Sequence, residues 1–177
     1  QAAEALEKLA EREQLNAIAG FATSDDPELR RSVIFVLGEL GAVDAAAEIS
    51  RSLFEADPLF RTARIAAIRT LVKFKAKELI DSILKLLSDP DEFVRAETLR
   101  SIGELQLSEY GATVLKSCKD ASFFVRESAF GALAKLNPAL LLDEASRMLI
   151  DPDETVRRLG VEILVSVNPK GSIANIV

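Results

Sequence analysis

The chain has 177 residues, 49% of them hydrophobic, and carries a net charge of −6 with one cysteine, no histidine and no tryptophan. This is enough apolar material for one compact domain or a short repeat array, and too much for a disordered segment. The acidic balance weighs against bulk attraction to nucleic acid. The lone cysteine excludes an internal disulfide and fits a reducing compartment, and no apolar run is long enough to span a bilayer.

The first predicted helix is under way at residue 1. Ala3, Leu6, Leu9 and Ile18 are spaced as in the later units, so residues 1–23 are read as the remainder of a repeat. The chain lacks an initiating Met and a basic-then-apolar leader, so its start is expected to be processed or cut, with no secretory signal.

From there a short phrase recurs. Asp89 to Arg95 reads DPDEFVR, Asp120 to Arg126 reads DASFFVR and Asp151 to Arg157 reads DPDETVR. With the arginine as origin, the phrase falls at Arg30, Arg61, Arg95, Arg126 and Arg157, in steps of 31, 34, 31 and 31. Four residues earlier stand Asp26, Asp57, Asp91, Ser122 and Asp153, whose side-chain oxygens can accept from free N–H groups at a helix start. Pro27 and Pro58 follow, where a missing N–H costs nothing. Aspartate and arginine four apart also have the favoured order for a helix-surface ion pair.

Behind each arginine the spacing predicts a first helix. Ile34, Ile65, Leu99, Phe130 and Val161 come four residues on; Leu37, Ile68, Ile102, Leu133 and Leu164 come seven on. Leu40, Leu71, Leu105, Leu136 and Val167 come ten on. Gly41, Asn137-Pro138 and Asn168-Pro169 close these helices. A second helix follows, with a core line at Ile49, Ile80, Val114, Ala145 and Ile176 and another at Leu53, Leu84, Cys118 and Leu149. Leu87 is expected to lengthen the second helix of the 34-residue unit by one turn. The domain reading is one array over 1–177. It has partial repeats at 1–23 and 151–177, and full repeats at 24–54, 55–88, 89–119 and 120–150. Neither end carries a polar cap, so the chain is read as a piece of a longer array, with pairing through an open end as the rival.

Paired helices of about 31 residues, the DPDxxVR openings and LGELG at Leu37 to Gly41 resemble HEAT repeats of the short kind found in bacterial scaffolds and phycobilin-lyase-like proteins. The resemblance covers essentially the whole chain. It implies an all-α, right-handed solenoid of stacked helical hairpins, with second helices lining a concave side. It also implies a bacterial, cytoplasmic protein. Ser122 and Ala121, standing where Asp and Pro occur elsewhere, and the three-residue insertion depart from the pattern.

Candidates for chemistry are few. Without histidine the commonest general base and metal ligand is missing, and there is no paired-cysteine metal spacing or phosphate-cradling glycine loop. No cofactor and no catalytic residue is expected. Cys118 occupies a leucine column and reads as a buried thiol. Tyr110 falls at an inter-helix turn, and Phe123, in a column of proline and glutamate, points to water or packs on a neighbouring unit. The arginine column reads as a structural ladder in preference to an anion site.

The second helices carry the one candidate site. Arg51, Lys116 and Arg147 share one position, while Phe54, Lys85, Lys119 and Ile150 lie three residues further on. Together these seven form a basic stripe with apolar flanks, fit for an acidic protein or peptide partner. Glu48, Asp81 and Glu144 lie close enough to make it an ordinary solvated face instead. The expected function is a non-enzymatic interaction scaffold. The alternatives are a bilin-lyase-like subunit acting with a partner chain, and nucleic-acid binding through the same stripe, which the missing tryptophan and net charge make the weakest.

Overall fold

At three of its aspartates the opening phrase does what its chemistry predicts, whereas Ser122, expected to cap likewise, stands at the N-cap before Phe123 without a side-chain cap bond. Asp26 Oδ1 accepts the N–H groups of Glu28 (2.9 Å) and Leu29 (3.1 Å), Asp57 accepts that of Leu59 (2.9 Å), and Asp91 that of Phe93 (2.9 Å). The computed structural model describes residues 13–152 and 154–167, and among these all regular structure is helical. Ala3, Leu6, Leu9, Asp153 and Ile176, the side chain of Val167 and both chain ends lie outside the described residues. No helix among the described residues is long and apolar enough to cross a membrane.

Two compact units divide the chain, Gln1–Ser101 and Ile102–Val177. In the first, α1 (residues 13–19) runs into a 3-10 turn at Gly20–Thr23, and α2 is Pro27–Glu39. Helix α3 (Ala46–Ser50) continues as a 3-10 turn, Arg51–Phe54. A further 3-10 turn at Pro58–Phe60 leads into α4 (Arg61–Lys73). Helix α5 (Ile80–Lys85) continues through Leu86–Ser88, and α6 is Glu92–Glu104, its last turn belonging to the second unit. Helix α2 packs along α4, and α3 lies against α4. The second unit holds α7 (Gly111–Ser117), α8 (Phe123–Leu136), α9 (Pro138–Met148) and α10 (Glu154–Val167). Here α8 packs on α7 and α9, and α10 on α9.

The apolar columns form the two cores, with three corrections. Ile34, Leu37, Ile68, Leu99 and Leu133 are fully buried. The column ten residues on from the arginine is core at Leu71 alone among the described side chains: Leu40 is 59% exposed, and Leu105 and Leu136 are only half-buried. By that point the helix has reached its C-terminal cap and the chain is turning away. The third core position lies three residues after the arginine instead, at Val33, Thr98 and Ala129. Val161, expected inside, is 41% exposed.

The second correction concerns the insertion. The two second helices with their 3-10 turns, 46–54 and 80–88, are equally long. The extra turn sits at the start of a first helix, where 58–73 replaces the thirteen-residue span of α2 and α6. The C-terminal bonds show the true register: Ala42 N donates to Leu37 O, Ala76 N to Leu71 O and Leu107 N to Ile102 O. Leu71, and not Ile68, is therefore the partner of Leu37. In the second helix Ile83 and Leu86 fill the core where Ile80 and Leu84, the expected residues, are half-buried. Three residues are close to one helical turn, so the apolar face persists wherever the insertion falls.

The third correction concerns the arginines. Arg30 leaves its cap Asp26 and donates to the carbonyls of Ser24 (2.6 Å) and Thr23 (3.3 Å), pairs with Glu55 (3.1 Å) and stacks over the Phe60 ring at 4.0 Å. Arg95 donates to Asp89 O, Arg126 to Asp120 O and Arg157 to Asp151 O, at 2.8, 3.0 and 2.8 Å. The ladder is structural, as expected, but the arginines tie down orphan carbonyls behind the preceding helix. The first acid of the phrase holds the turn that leads into the cap, since Asp89 Oδ1 accepts Asp91 N–H and Asp120 Oδ1 accepts Ser122 N–H. In the irregular repeat the buried arginine is Arg64, 6% exposed, which donates to Leu53 O at 3.1 Å and to the Asp89 carboxylate. Arg61 is displaced onto the surface, paired with Asp91 and lying over the Phe93 ring.

Candidate functional site

The second helices place the predicted site residues by anchoring their opposite faces. In the first unit Ile49 and Leu53 are fully buried, and Ser52 Oγ donates to Ala22 O at 2.8 Å. That fixes the 3-10 turn so that Arg51 and Phe54 face solvent, with the Phe54 ring 53% exposed. Ile83 does the same for α5 and turns Lys85 outward. In the second unit Val114 and Cys118 are buried beneath α7, leaving Lys116 and Lys119 exposed. Ala145 and Met148 bury the inner face of α9, which exposes Arg147 and leaves Ile150 at 85%.

Charge separates these cations into two kinds. Glu144 lies between Lys119 (2.8 Å) and Arg147 (4.0 Å), and Asp143 also holds Arg147 at 2.6 Å. Those two are locally neutralised, as proximity of Glu144 implied. Arg51, Lys85 and Lys116 have no carboxylate within ion-pair distance among the described residues. Phe123 is 57% exposed and meets Phe124 edge-on at 5.9 Å between centroids.

A groove between α2 and α4 of the first unit went unseen in the sequence. It encloses about 460 Å³. Gly38 and Thr70 form its floor: a Cβ on Gly38 would stand 2.8 Å from Thr70 Oγ1, so the two helices approach as closely as glycine permits. Phe35, 57% exposed, and Ile65 flank it. Ile65 is left there because the extra turn moves it out of the core column. That displaced isoleucine was the available signal, but it shows only once the insertion is assigned to the first helix.

Catalytic groups are not gathered anywhere described. Among the described residues no three of His, Cys, Asp or Glu could together hold a metal ion. Burial, reinforced by the Glu144 charge, pushes the Cys118 thiol up to about 12, and its Sγ lies 3.8 Å from Val114 O. A thiol so protonated fills space and is no nucleophile. Tyr110 is half-buried at the 3-10 turn Ser108–Tyr110.

Comparison with known proteins follows the architecture. Residues 57–134 match the family model of HEAT repeats. Among solved structures the chain is similar to one from the complex of CpcE and CpcF of phycocyanin lyase from Nostoc sp. PCC7120. The two share 17% identity at a TM-score of 0.63, over 92% of this chain and 68% of that one. It is also similar to a designed armadillo repeat protein, at 19% identity and a TM-score of 0.56, over 92% and 90% of the two chains. An engineered protein matches at 15% identity and a TM-score of 0.56, over 92% and 83%. At these identities the likeness is one of fold, the helical-repeat solenoid. Comparison with curated proteins finds no sequence match.

Proposed function

We propose that this chain, whose residues 57–134 match HEAT repeats, is a non-enzymatic protein-interaction module for an acidic partner. Each unit offers its own second-helix contact surface: Arg51, Phe54 and Lys85 in the first, and Lys116, Lys119, Arg147 and Ile150 in the second. The observation that carries this reading is the pairing of a large exposed apolar side chain with nearby cations in each unit. Burying Phe54 or Ile150 in a partner would supply an anchor, and Arg51, Lys85 and Lys116, the cations not already neutralised by a described carboxylate, would steer and orient carboxylates. The repeat fold supports it, since a rigid array offers shape and charge without a chemical step.

The test uses a partner captured by the wild-type protein and identified by mass spectrometry, then titrated against Phe54→Ala, Lys116→Glu and Ile150→Ala. Each is expected to weaken binding by about ten-fold, the effect of losing one good anchor or steering charge. Circular dichroism should be unchanged. Wild-type affinity in all three variants would remove this surface from consideration.

A bilin-lyase-like role is the second reading, favoured by the fold shared with a chain of the CpcE and CpcF complex. No side-chain arrangement in the site supports it. Mixing the purified chain with a bilin is expected to leave the visible spectrum unaltered; a shifted or intensified band would favour the lyase reading.

A further inference from the structure

We infer, on the acidic-partner reading proposed above, that the Asp143-Glu144 doublet of α9 is a built-in substitute for a partner's carboxylates: it closes Lys119 and Arg147 and leaves the recognition of acid to Arg51, Lys85 and Lys116. Arg51, Lys85, Lys116 and Arg147 share one register position, each ten residues before the arginine of the next opening phrase, Arg61, Arg95, Arg126 or Arg157. All four are exposed. Position alone would make them alike, yet among the described residues Arg147 is the one of the four that is ion-paired.

The residues one turn earlier account for the difference. Fourteen and thirteen residues before the same arginines stand Ala47-Glu48 in α3, Asp81-Ser82 in α5, Ala112-Thr113 in α7 and Asp143-Glu144 in α9. One acid does not close the cation. Glu48 precedes Arg51 by three residues and Asp81 precedes Lys85 by four, and neither forms an ion pair among the described residues. In α9 both positions are acidic, and the doublet is braced from a second helix. Glu144 Oε1 takes Lys119 Nζ, just past the end of α7, at 2.8 Å, while its Oε2 lies 4.0 Å from Arg147 Nη1. Asp143 holds Arg147 Nη2 at 2.6 Å. The Glu144 side chain is 14% exposed, so it is held more firmly than an ordinary surface carboxylate. A partner's carboxylate would therefore compete with one already in place at Lys119 and Arg147, and with none at Arg51, Lys85 or Lys116. Ile150, three residues past Arg147, stays open, so this end of the second unit keeps its apolar anchor and loses its selectivity for acid.

The probe is a ten-residue oligoglutamate peptide titrated into the full chain and followed by amide chemical-shift mapping, with oligolysine as the control. On the wild type, saturable shifts are expected at Arg51, Lys85 and Lys116 and none at Lys119 or Arg147. Asp143→Asn combined with Glu144→Gln should bring Lys119 and Arg147 into the titration and tighten binding at the second unit about three-fold, the scale of one surface ion pair released. Ala47→Asp completes the doublet at an exposed position of α3, and should weaken the titration at Arg51 about three-fold where Ala47→Asn does not. That variant leaves α9 untouched, so it decides the matter even where the double variant fails to fold. A folded double variant that titrates as wild type, Ala47→Asp that titrates as wild type, or wild-type shifts at Lys119 and Arg147 as large as those at Arg51 would each overturn the role of the doublet. Shifts that appear at Lys119 and Arg147 in the double variant alone, with none at Arg51, Lys85 or Lys116 in any protein, would uphold the doublet and overturn the acidic-partner reading. No titration in any of the proteins, or equal binding of oligolysine, would overturn both.

Discussion

The Arg64 guanidinium is 6% exposed and spans the Leu53 carbonyl and the Asp89 carboxylate, both pair side chains being 7% exposed. Removing one member of such a pair leaves the other charge buried and unpaired, which costs about 3–5 kcal/mol. Arg61, three residues earlier, has a 45% exposed side chain, and an ion pair there contributes about 0–1 kcal/mol. Urea denaturation of Arg64→Met is therefore expected to show a loss several times that of Arg61→Met. The sequence points the other way, because Arg61 stands four residues after Asp57 just as Arg30 stands after Asp26. The cap chemistry is legible there and the burial is not, since the extra turn comes directly behind the cap and preserves the local phrase. A second residue-scale feature leaves no periodic trace: Lys75 and Gln106 hold φ of 54° and 53° where the equivalent Gly41 holds 67°. The left-handed conformation is strained for residues with a Cβ. Gln106→Gly is expected to raise stability by about 0.5–1 kcal/mol, the relieved strain exceeding glycine's added chain entropy, as a calorimetric melt would register.

At the scale of elements, glycines mark where helices touch and where they do not. A Cβ on Gly160 of α10 would fall 2.9 Å from both the Ala145 carbonyl oxygen and Met148 Cβ of α9. One on Gly131, in the interior of α8, would meet nothing within 4 Å. Alanine favours a helix interior over glycine by up to about 1 kcal/mol. Gly131→Ala should therefore stabilise by about that amount, whereas Gly160→Ala should destabilise by about 1–3 kcal/mol as α9 and α10 are pushed apart. Opposite signs in urea titrations of the two variants are the outcome to look for; equal signs would mean that propensity, and not packing, governs both. Helix identity, order and the caps at Asp26, Asp57 and Asp91 were legible from period and phrase; the expected cap at Ser122 is not made by its side chain. The location of the inserted turn was not, because forward counting from each arginine returns an apolar residue at every expected step. Counting back from the next arginine would have found it: Ile49, Ile83, Val114 and Ala145 each precede the following arginine by twelve residues. The α2–α4 groove depends on that placement, so it was hidden for the same reason. The seven second-helix residues, by contrast, were legible as exposed positions because their buried neighbours are fixed by period alone. What period could not supply was the Glu144 contact that neutralises Lys119 and Arg147.

At the scale of the whole molecule, the sequence shows one uninterrupted repeat pattern, while the fold divides at Ser101 inside a helix, with no glycine- or proline-rich linker to announce it. The first unit, Gln1–Ser101, concentrates carboxylates whose ionised form the fold prefers. For Glu97, burial pushes the carboxyl up, but hydrogen bonds and charge from Arg69 and Arg100 outweigh it and hold it below the usual range. Burial likewise opposes Asp91, where Arg61 and the N–H groups of Phe93 and Val94 prevail. The Arg30 hydrogen bond lowers Glu55. In each case the folded state binds its proton more weakly than the unfolded chain, so acid shifts the balance toward unfolding. The stabilisation is complete above the ordinary carboxylate range, about pH 4–4.5, and is lost progressively as pH falls through the lower folded values. Hydrogen exchange resolved by residue should therefore show α2, α4 and α6 losing protection below about pH 4. Glu97→Gln removes one of the titrating groups and keeps the shape. That variant should be less stable than wild type at neutral pH, because a neutral amide gains less from Arg69 and Arg100. It should also lose stability less steeply with acid, so that the two curves converge at low pH. Parallel curves, or protection in these helices that rises on acidification, would show that the ion pairs seen here do not couple folding of the first unit to protonation.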